Sequence, residues 1–569
     1  MLFYQHLESY ILVVFLLRCI EVLETKVVDA WEALSCIGDG DVIAISGFNM
    51  ATTPEHLILE LYSLYRRTGH PRDLFIVSDA LPAVPGRALD KVAEELYRER
   101  DERFIRGVLL PYIGFSPWLQ KMIMDNMIEA YSWPLGITAY WFREVASGRP
   151  GLLTRIGLET FLDPRQDSGA LNKKARRAMT CRIELIRIGD EEYLFYRAPK
   201  PRIALIRGTT ADVTGSLSLE DEGIRGTVLN IAQATKARPN PGVVIAQVRW
   251  IAEKGTISPR SVEVPGPLID YIVRAPRERH WQSGSFEYDP RACQRIIPPL
   301  RSEIVGDLPQ MEWDEHEVII ARRALLELIK MIEEKRSPVL VNIGVGIPAL
   351  VARIAIEEDL SSLVIPVVES GPWGGLALPG KDFGIAFSPF ALTSIPDTFS
   401  LFEGGVIDAA ILGFLQVDSE GNVNPSALPD RIPGPGGFPV IAGGAPKIVF
   451  AGSFTAGPRD IRVSDEGLEI RRDGPINKFV SRVYKIFFSG KLASRYGKDV
   501  VYITERAVFR LTSQGLELVE TAPGVDIEKH ILSRMDFRPI VRKTEYMDQR
   551  VFRARRMGLR DNILNTIRM

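Results

Sequence analysis

Val364-Ile365-Pro366-Val367-Val368-Glu369-Ser370-Gly371-Pro372-Trp373-Gly374-Gly375 is the stretch on which the reading of this chain turns. Its apolar, largely β-branched run predicts a short buried parallel strand that delivers Glu369 to its carboxyl end. Open α/β sheets keep their ligands at that end. Gly371, Gly374 and Gly375 leave the main chain free to bend and let a bulky group come close. A carboxylate in such a place is a candidate base, ligand or nucleophile. An isolated Glu of this kind is more often a structural buried acid, so a second element has to decide.

Val339-Leu340-Val341-Asn342-Ile343-Gly344-Val345-Gly346-Ile347-Pro348 supplies it. The spacing predicts a buried strand running into a glycine turn, with Pro348 suited to the first turn of the next helix. A helix start of that kind offers free N–H groups to phosphate. The competing reading is a dinucleotide site, because Glu369 ends the next predicted strand, at roughly the ~20-residue spacing of an acid that holds a ribose hydroxyl.

At 569 residues the chain exceeds one ordinary core and should divide into two large domains. Its 46% hydrophobic and 25% charged residues match globular proteins, and a formal net charge of −2 gives no electrostatic case for nucleic acid. Cys19, Cys36, Cys181 and Cys293 form no C-x-x-C pair and the six histidines no ligand spacing, so no metal is expected and reduced thiols in a cytoplasmic protein are. The apolar run Tyr10 to Leu17 is interrupted by Arg18 and falls short of the ~20 residues of a membrane span. It also lacks the basic start and small-residue cleavage site of a signal peptide. No membrane partner is expected, and 1–25 are set aside as an N-terminal extension.

Strand and helix patterns alternate from there, which predicts parallel sheets with right-handed crossovers. Val28 to Leu34 reads as a helix, Val42 to Ser46 as a strand ending in Gly47-Phe48, and Pro54 opens a helix that Gly69 closes. Leu74 to Val77, Ile203 to Ile206 and Val243 to Val248 read as strands, and Leu89 to Arg100 and Pro117 towards Ala130 as helices. Arg207, Asp212 and Arg249 are candidates for substrate contact, although structural ion pairs are the usual role of such residues. Proline enters and periodicity fades between Ile296 and His316. The domains are therefore set at 26–297 and 317–541, joined by a linker at 298–316. A helix over Glu317 to Glu334, a hairpin over Ile461 to Arg471 and a strand over Val500 to Ile503 follow, and the basic tail 542–569 reads as a solvated helix face.

Together these motifs resemble a known family. Glu369-Ser370-Gly371-x-x-Gly374-Gly375, the Asn342 to Pro348 turn and Gly434-Pro435-Gly436-Gly437-Phe438 are similar to the fused-subunit family I CoA-transferases, within them the acetate/propionate CoA-transferase branch. The likeness also runs through Gly157 to Arg165, Ile206 to Asp212, Gly452 to Gly457, Val500 to Phe509 and Ala522 to Asp526. It implies two tandem Rossmann-like α/β domains, mainly parallel, with the active site at their interface. It implies Glu369 as nucleophile, passing through an acyl-glutamyl anhydride and a glutamyl-CoA thioester while CoA moves from an acyl-CoA to a free carboxylate. Coenzyme A is then a substrate, with no permanently bound cofactor. Gly344, Val345, Gly346, Ile347 and Pro348 would take CoA, Gly434, Gly436 and Gly437 would supply oxyanion donors or CoA contacts, and Gly47, Phe48, Leu135, Ser370, Gly371 and Trp373 would shape the pocket. Short-chain or small 3-oxo or hydroxy acids, and a homodimer or homotetramer, complete the expectation.

This chain departs from the family pattern at Leu135, where relatives carry a glutamine, at Pro372-Trp373 and at Leu376 to Pro379. An acyl-CoA hydrolase on the same fold, a catalytically weakened CoA-binding homologue and a nicotinamide-dependent oxidoreductase are the alternatives.

Overall fold

The computed structural model describes residues 25–299, 313–560 and 563. The expectations for residues 1–24 and for most of the linker lie outside these.

In the first half, seven strands form one parallel sheet: β1 (Val42–Ile45), β2 (Leu74–Ser78), β3 (Ile105–Leu109), β4 (Glu129–Tyr131), β5 (Ile203–Arg207), β6 (Val243–Val248) and β7 (Tyr271–Arg274). Their order is β7-β6-β5-β1-β2-β3-β4. The chain runs outward from β1 through β4 and then crosses back to β5, so a topological switch lies between β1 and β5, where a crevice opens at the strands' carboxyl ends. Burial drives this arrangement: all five residues of β2 and of β5 are buried, as strands covered on both faces must be.

The second half repeats the scheme with β8 (Val339–Ile343), β9 (Val364–Pro366), β10 (Ala409–Leu412), β11 (Lys447–Ala451), β12 (Asp499–Ile503), β13 (Ala507–Thr512), β14 (Gly515–Thr521) and β15 (Ile540–Tyr546). The order is β9-β8-β10-β11-β12-β13-β14-β15. The first five are parallel, and the β13–β14 hairpin then reverses direction. Here the switch lies between β8 and β10.

Several local expectations change. β9 is a three-residue edge strand, only partly buried, because Pro366 has no N–H to offer a second neighbour. The helix from Pro117 ends at Met124, since Asn126 adopts φ 59°, and Ala130 belongs to β4. The basic segment from Arg542, expected as a solvated helix face, instead begins as the end of β15, which pairs in parallel with β14 across the boundary drawn at 541. Beyond it Val551, Phe552, Met557 and Leu559 are buried against the second core. A three-stranded antiparallel insert, Leu152–Thr154, Arg182–Ile188 and Glu191–Arg197, has no counterpart in the sequence reading.

The halves share one hydrophobic core, in which Phe48, Leu135 and Trp141 join Phe399, Phe402 and Ile441. The helix Leu135–Ala146 of the first half packs on Ile395–Glu403 of the second, and the contact is possible because residue 136 is glycine. A Cβ there would stand 2.5 Å from the Phe399 ring. Ion pairing between Arg143 and Asp397 at 2.6 Å fixes the rim of the same contact. Overpacking this seam should be costly: Gly136→Val is expected to lose about 1–3 kcal/mol, read as a lowered denaturant midpoint in equilibrium unfolding.

Candidate active site

Between the halves lies a cavity of about 590 Å³, lined by the loops that follow β1, β2 and β3 in the first sheet and β8, β9, β10 and β11 in the second. The first half contributes Phe48, Asn49, Ala80, Leu81, Tyr112, Phe115 and Leu135, none of them charged. The second contributes Asn342, the turn Gly344 to Pro348, Glu369, Gly413, the loop Pro433 to Phe438 and Gly452.

Glu369 reaches this seam from a tight turn. Gly371 N–H donates to the Val368 carbonyl at 2.9 Å, and Val368 N–H to that of Pro372 at 2.9 Å. At Gly371, φ is 124° and a Cβ would meet the Thr393 carbonyl at 2.0 Å, so only glycine closes the turn. Ser370 Oγ anchors it to the Gly384 carbonyl. The Glu369 side chain keeps some surface towards the cavity, yet protein crowds its carboxyl elsewhere. Desolvation therefore raises its pKa to about 7, against a hydrogen bond from Asn342 that lowers it. Asn342 Nδ2 also donates to the Val367 carbonyl at 3.0 Å, which orients the amide.

Facing the carboxyl is the loop Gly434 to Gly437. A Cβ on Gly437 would lie 3.2 Å from Glu369 Cδ. This second-half loop is sewn into the first half: Gly436 N–H donates to the Pro111 carbonyl at 2.9 Å, Leu135 N–H to Gly436 at 2.9 Å, and Ile113 N–H to Pro433 at 2.7 Å. The Gly436 amide is thus engaged, whereas that of Gly437 meets no acceptor among the described residues. At the β8 turn, Gly344 N–H is taken by the Ile411 carbonyl at 2.9 Å, while the amides of Val345, Gly346 and Ile347 find no acceptor among the described residues. Val345 is 58% exposed, which puts this turn at the mouth.

Of the pocket residues expected from sequence, Phe48 and Leu135 line the cavity and Gly47, Ser370, Gly371 and Trp373 do not. Gly47 packs on Thr53, whose Oγ1 would be 1.9 Å from a Cβ there. Ser370 and Gly371 hold the Glu369 turn instead of touching the cavity. Trp373 turns aside to donate from Nε1 to Thr393 Oγ1 at 3.1 Å. Arg207, Asp212 and Arg249 serve structure: Arg207 pairs with buried Glu222 at 2.8 Å, Asp212 accepts from its own loop, and Arg249 lies 3.6 Å from Glu287. Asn342, Asn49 and Lys478, which also line the cavity, were not singled out. For Asn342 a signal existed, a lone amide in an apolar strand; for Lys478, in a polar loop, there was none. Among the described residues no group of three or more His, Cys, Asp or Glu is placed to hold a metal ion, and no helix is long and apolar enough to cross a membrane.

Comparison with known proteins agrees with this geometry. Residues 27–275 match the coenzyme A transferase family model. The chain is 35% identical to a caffeate CoA-transferase of Acetobacterium woodii over 94% of its length and 98% of that protein's. It is also 35% identical to the acetate CoA-transferase YdiF of Escherichia coli, over 94% and 96% respectively. A crystal structure of an Escherichia coli acyl-CoA transferase (YdiF) as a thioester complex with CoA superposes with a TM-score of 0.81 at 34% identity, covering 94% of this chain and 97% of that one. With a buried carboxyl at the carboxyl ends of two facing α/β sheets and relatives matched nearly end to end, this chain belongs to the coenzyme A transferase family and is a CoA-transferase.

Proposed function

We propose that the chain moves CoA from an acyl-CoA to a free carboxylate through covalent intermediates on Glu369. The observation that carries this reading is the placement of one carboxyl on the wall of the cavity between the halves, against Gly437. The ionised carboxylate attacks the thioester carbonyl, giving an acyl-glutamyl anhydride and CoA thiolate. The thiolate attacks the glutamyl carbonyl, which expels the acyl group as a free carboxylate and leaves CoA as a thioester on Glu369. An incoming carboxylate runs both steps in reverse. Each exchange trades one carboxylate for another of similar basicity, so covalent catalysis divides the transfer into nearly balanced steps.

Each addition builds a tetrahedral oxyanion that needs a positioned donor, and losing one such donor typically costs ~10² to 10³ in rate. The Gly437 amide suits that role, being unengaged and next to the carboxyl. Leu135 offers no side-chain donor, so on this reading the main chain supplies the oxyanion contact. The free amides of Val345 to Ile347 suit the CoA side.

The acyl side faces the uncharged first-half wall, whose Phe48 ring stands 6.0 Å from that of Phe383 in the second half. That lining suits small carboxylic acids with an apolar body, a range bracketed by relatives named for acetate and for caffeate.

Incubation with acyl-CoA alone, then borohydride or hydroxylamine and mass spectrometry, is expected to mark Glu369. Glu369→Gln should abolish the mark and lower turnover by at least ~10³; an unmarked Glu369 with every thioester overturns the reading. Release of free acid and CoA without any acceptor would point to hydrolysis instead.

The raised pKa gives a second prediction. Only the ionised carboxyl attacks, so formation of the Glu369 adduct should rise with pH around a midpoint near 7. Asn342→Leu, which removes the hydrogen bond favouring the charged form, should move that midpoint upward. Stability should run the opposite way. The folded pKa exceeds the unfolded one, so ionising Glu369 in place costs stability as pH rises from about 4.5 through about 7. Thermal melts should show Glu369→Gln gaining on the parent near pH 8 and losing that advantage near pH 5.

A further inference from the structure

Along the second sheet, away from Glu369, the same cavity meets a lysine with no hydrogen bond or ion pair among the described residues. Lys478 follows the short strand Ile476–Asn477, is 7% exposed, and lines the cavity beside Gly452 and Ser453 at the carboxyl end of β11. Its Nζ stands 4.0 Å from the Phe414 ring centroid, and a Cβ on Gly452 would come within 3.1 Å of it. It forms no hydrogen bond or ion pair within the described residues. The nearest acid that acts on it, Glu505, is committed elsewhere: its carboxylate accepts from Arg506 at 2.8 Å and from Phe454 N–H at 2.9 Å. Burial lowers the Lys478 pKa to about 7, with Glu505 raising it and Arg459 lowering it further.

A buried ammonium without a counterion is expensive, and a ligand anion that supplies one recovers much of that cost. The reacting carboxyl is not that anion. Glu369 follows β9 and its carboxyl meets Asn342 of β8, while Lys478 lies beside the end of β11, so in the order β9-β8-β10-β11 two to three strand spacings, roughly 10–14 Å, separate them. A pantetheine arm, extended like a short peptide of three to four residues, spans roughly 12–16 Å from sulfur to its terminal phosphate. Glycine-lined turns after β8, β10 and β11 leave room for such an arm along the sheet edge. No such charge faces the cavity from the first half, where the acyl group would sit.

We propose that Lys478 anchors the phosphate at the end of the pantetheine arm, setting the reach of the thioester to Glu369. The assignment rests on the reading of the cavity as a site for CoA thioesters. A contact this far from the reacting atoms is of the kind whose binding energy is used to position the reacting group.

The test compares the parent with Lys478→Met on four ligands: CoA, 3′-dephospho-CoA, phosphopantetheine and pantetheine. Binding is measured by calorimetry, and kcat/KM is measured with the butyryl and the succinyl thioester of each. Melting curves and circular dichroism check that the variant folds, and Lys478→Gln serves as a second variant. Expected is a loss of about 30-fold or more for the three phosphate-bearing ligands, in binding and in kcat/KM with kcat sharing the loss, and pantetheine unchanged within about twofold. Equal losses on all four ligands, or none on any, overturn the proposal. So does a loss confined to succinyl over butyryl thioesters, which would place the lysine at the acyl end. Calorimetry reports on the anchor even if no adduct forms on Glu369, so failure of the transfer reading and failure of this assignment are distinguishable.

Discussion

The close approach of Gly437 to the Glu369 carboxyl is the contact on which the rest of the site depends. It joins a loop of the second half, held by Pro111 and Leu135 of the first, to an acid carried on the outermost strand of the second sheet. Neither half alone encloses that carboxyl. The sheet edge would leave Glu369 in water with an ordinary pKa, whereas the seam desolvates it and raises its pKa to about 7. A carboxylate raised in this way is more basic than an ordinary one, and so more nucleophilic once ionised.

The same enclosure has a cost in stability, because an acid held away from water resists ionisation. The fold offsets it locally. Asn342 donates to the carboxyl, Ser370 and Gly371 fix the turn, and the Gly136–Phe399 contact locks the two halves around it. Apart from Asn342, these residues support the carboxyl from positions that do not themselves line the cavity. Ser370 and Gly371 sit next to Glu369 in the chain and still do not reach the cavity, because the turn carries Ser370 onto the Gly384 carbonyl and packs Gly371 against Thr393.

Lys478 is a second buried charge of opposite sign, at the other end of the second-half wall. Two ionisable groups, each pushed towards neutrality by burial and set several strands apart, define a line along the carboxyl ends of β9, β8, β10 and β11. A substrate with a reactive carbonyl at one end and an anion further along would restore charge at both.

Much of this was legible beforehand. Local chemistry dictates the parallel strands, the Gly69 helix stop, the β8 turn into Pro348 and the prominence of Glu369, since period, glycine and proline act over a few residues. Pro366 even carried an overlooked sign that its strand lies at an edge. The basic tail misled because charge pattern alone does not distinguish a solvated helix from an edge strand, and β15 pairs with a partner about twenty residues away.

What the sequence by itself determined is thus the α/β class, the doubled plan and the prominence of Glu369. Only the tertiary structure decided which glycine amides are free, which neighbours of Glu369 face the substrate and that Lys478 lacks a counterion. The physical reason is that each of these depends on groups brought together across the seam or across strands, from positions tens to hundreds of residues apart, and no local pattern records them.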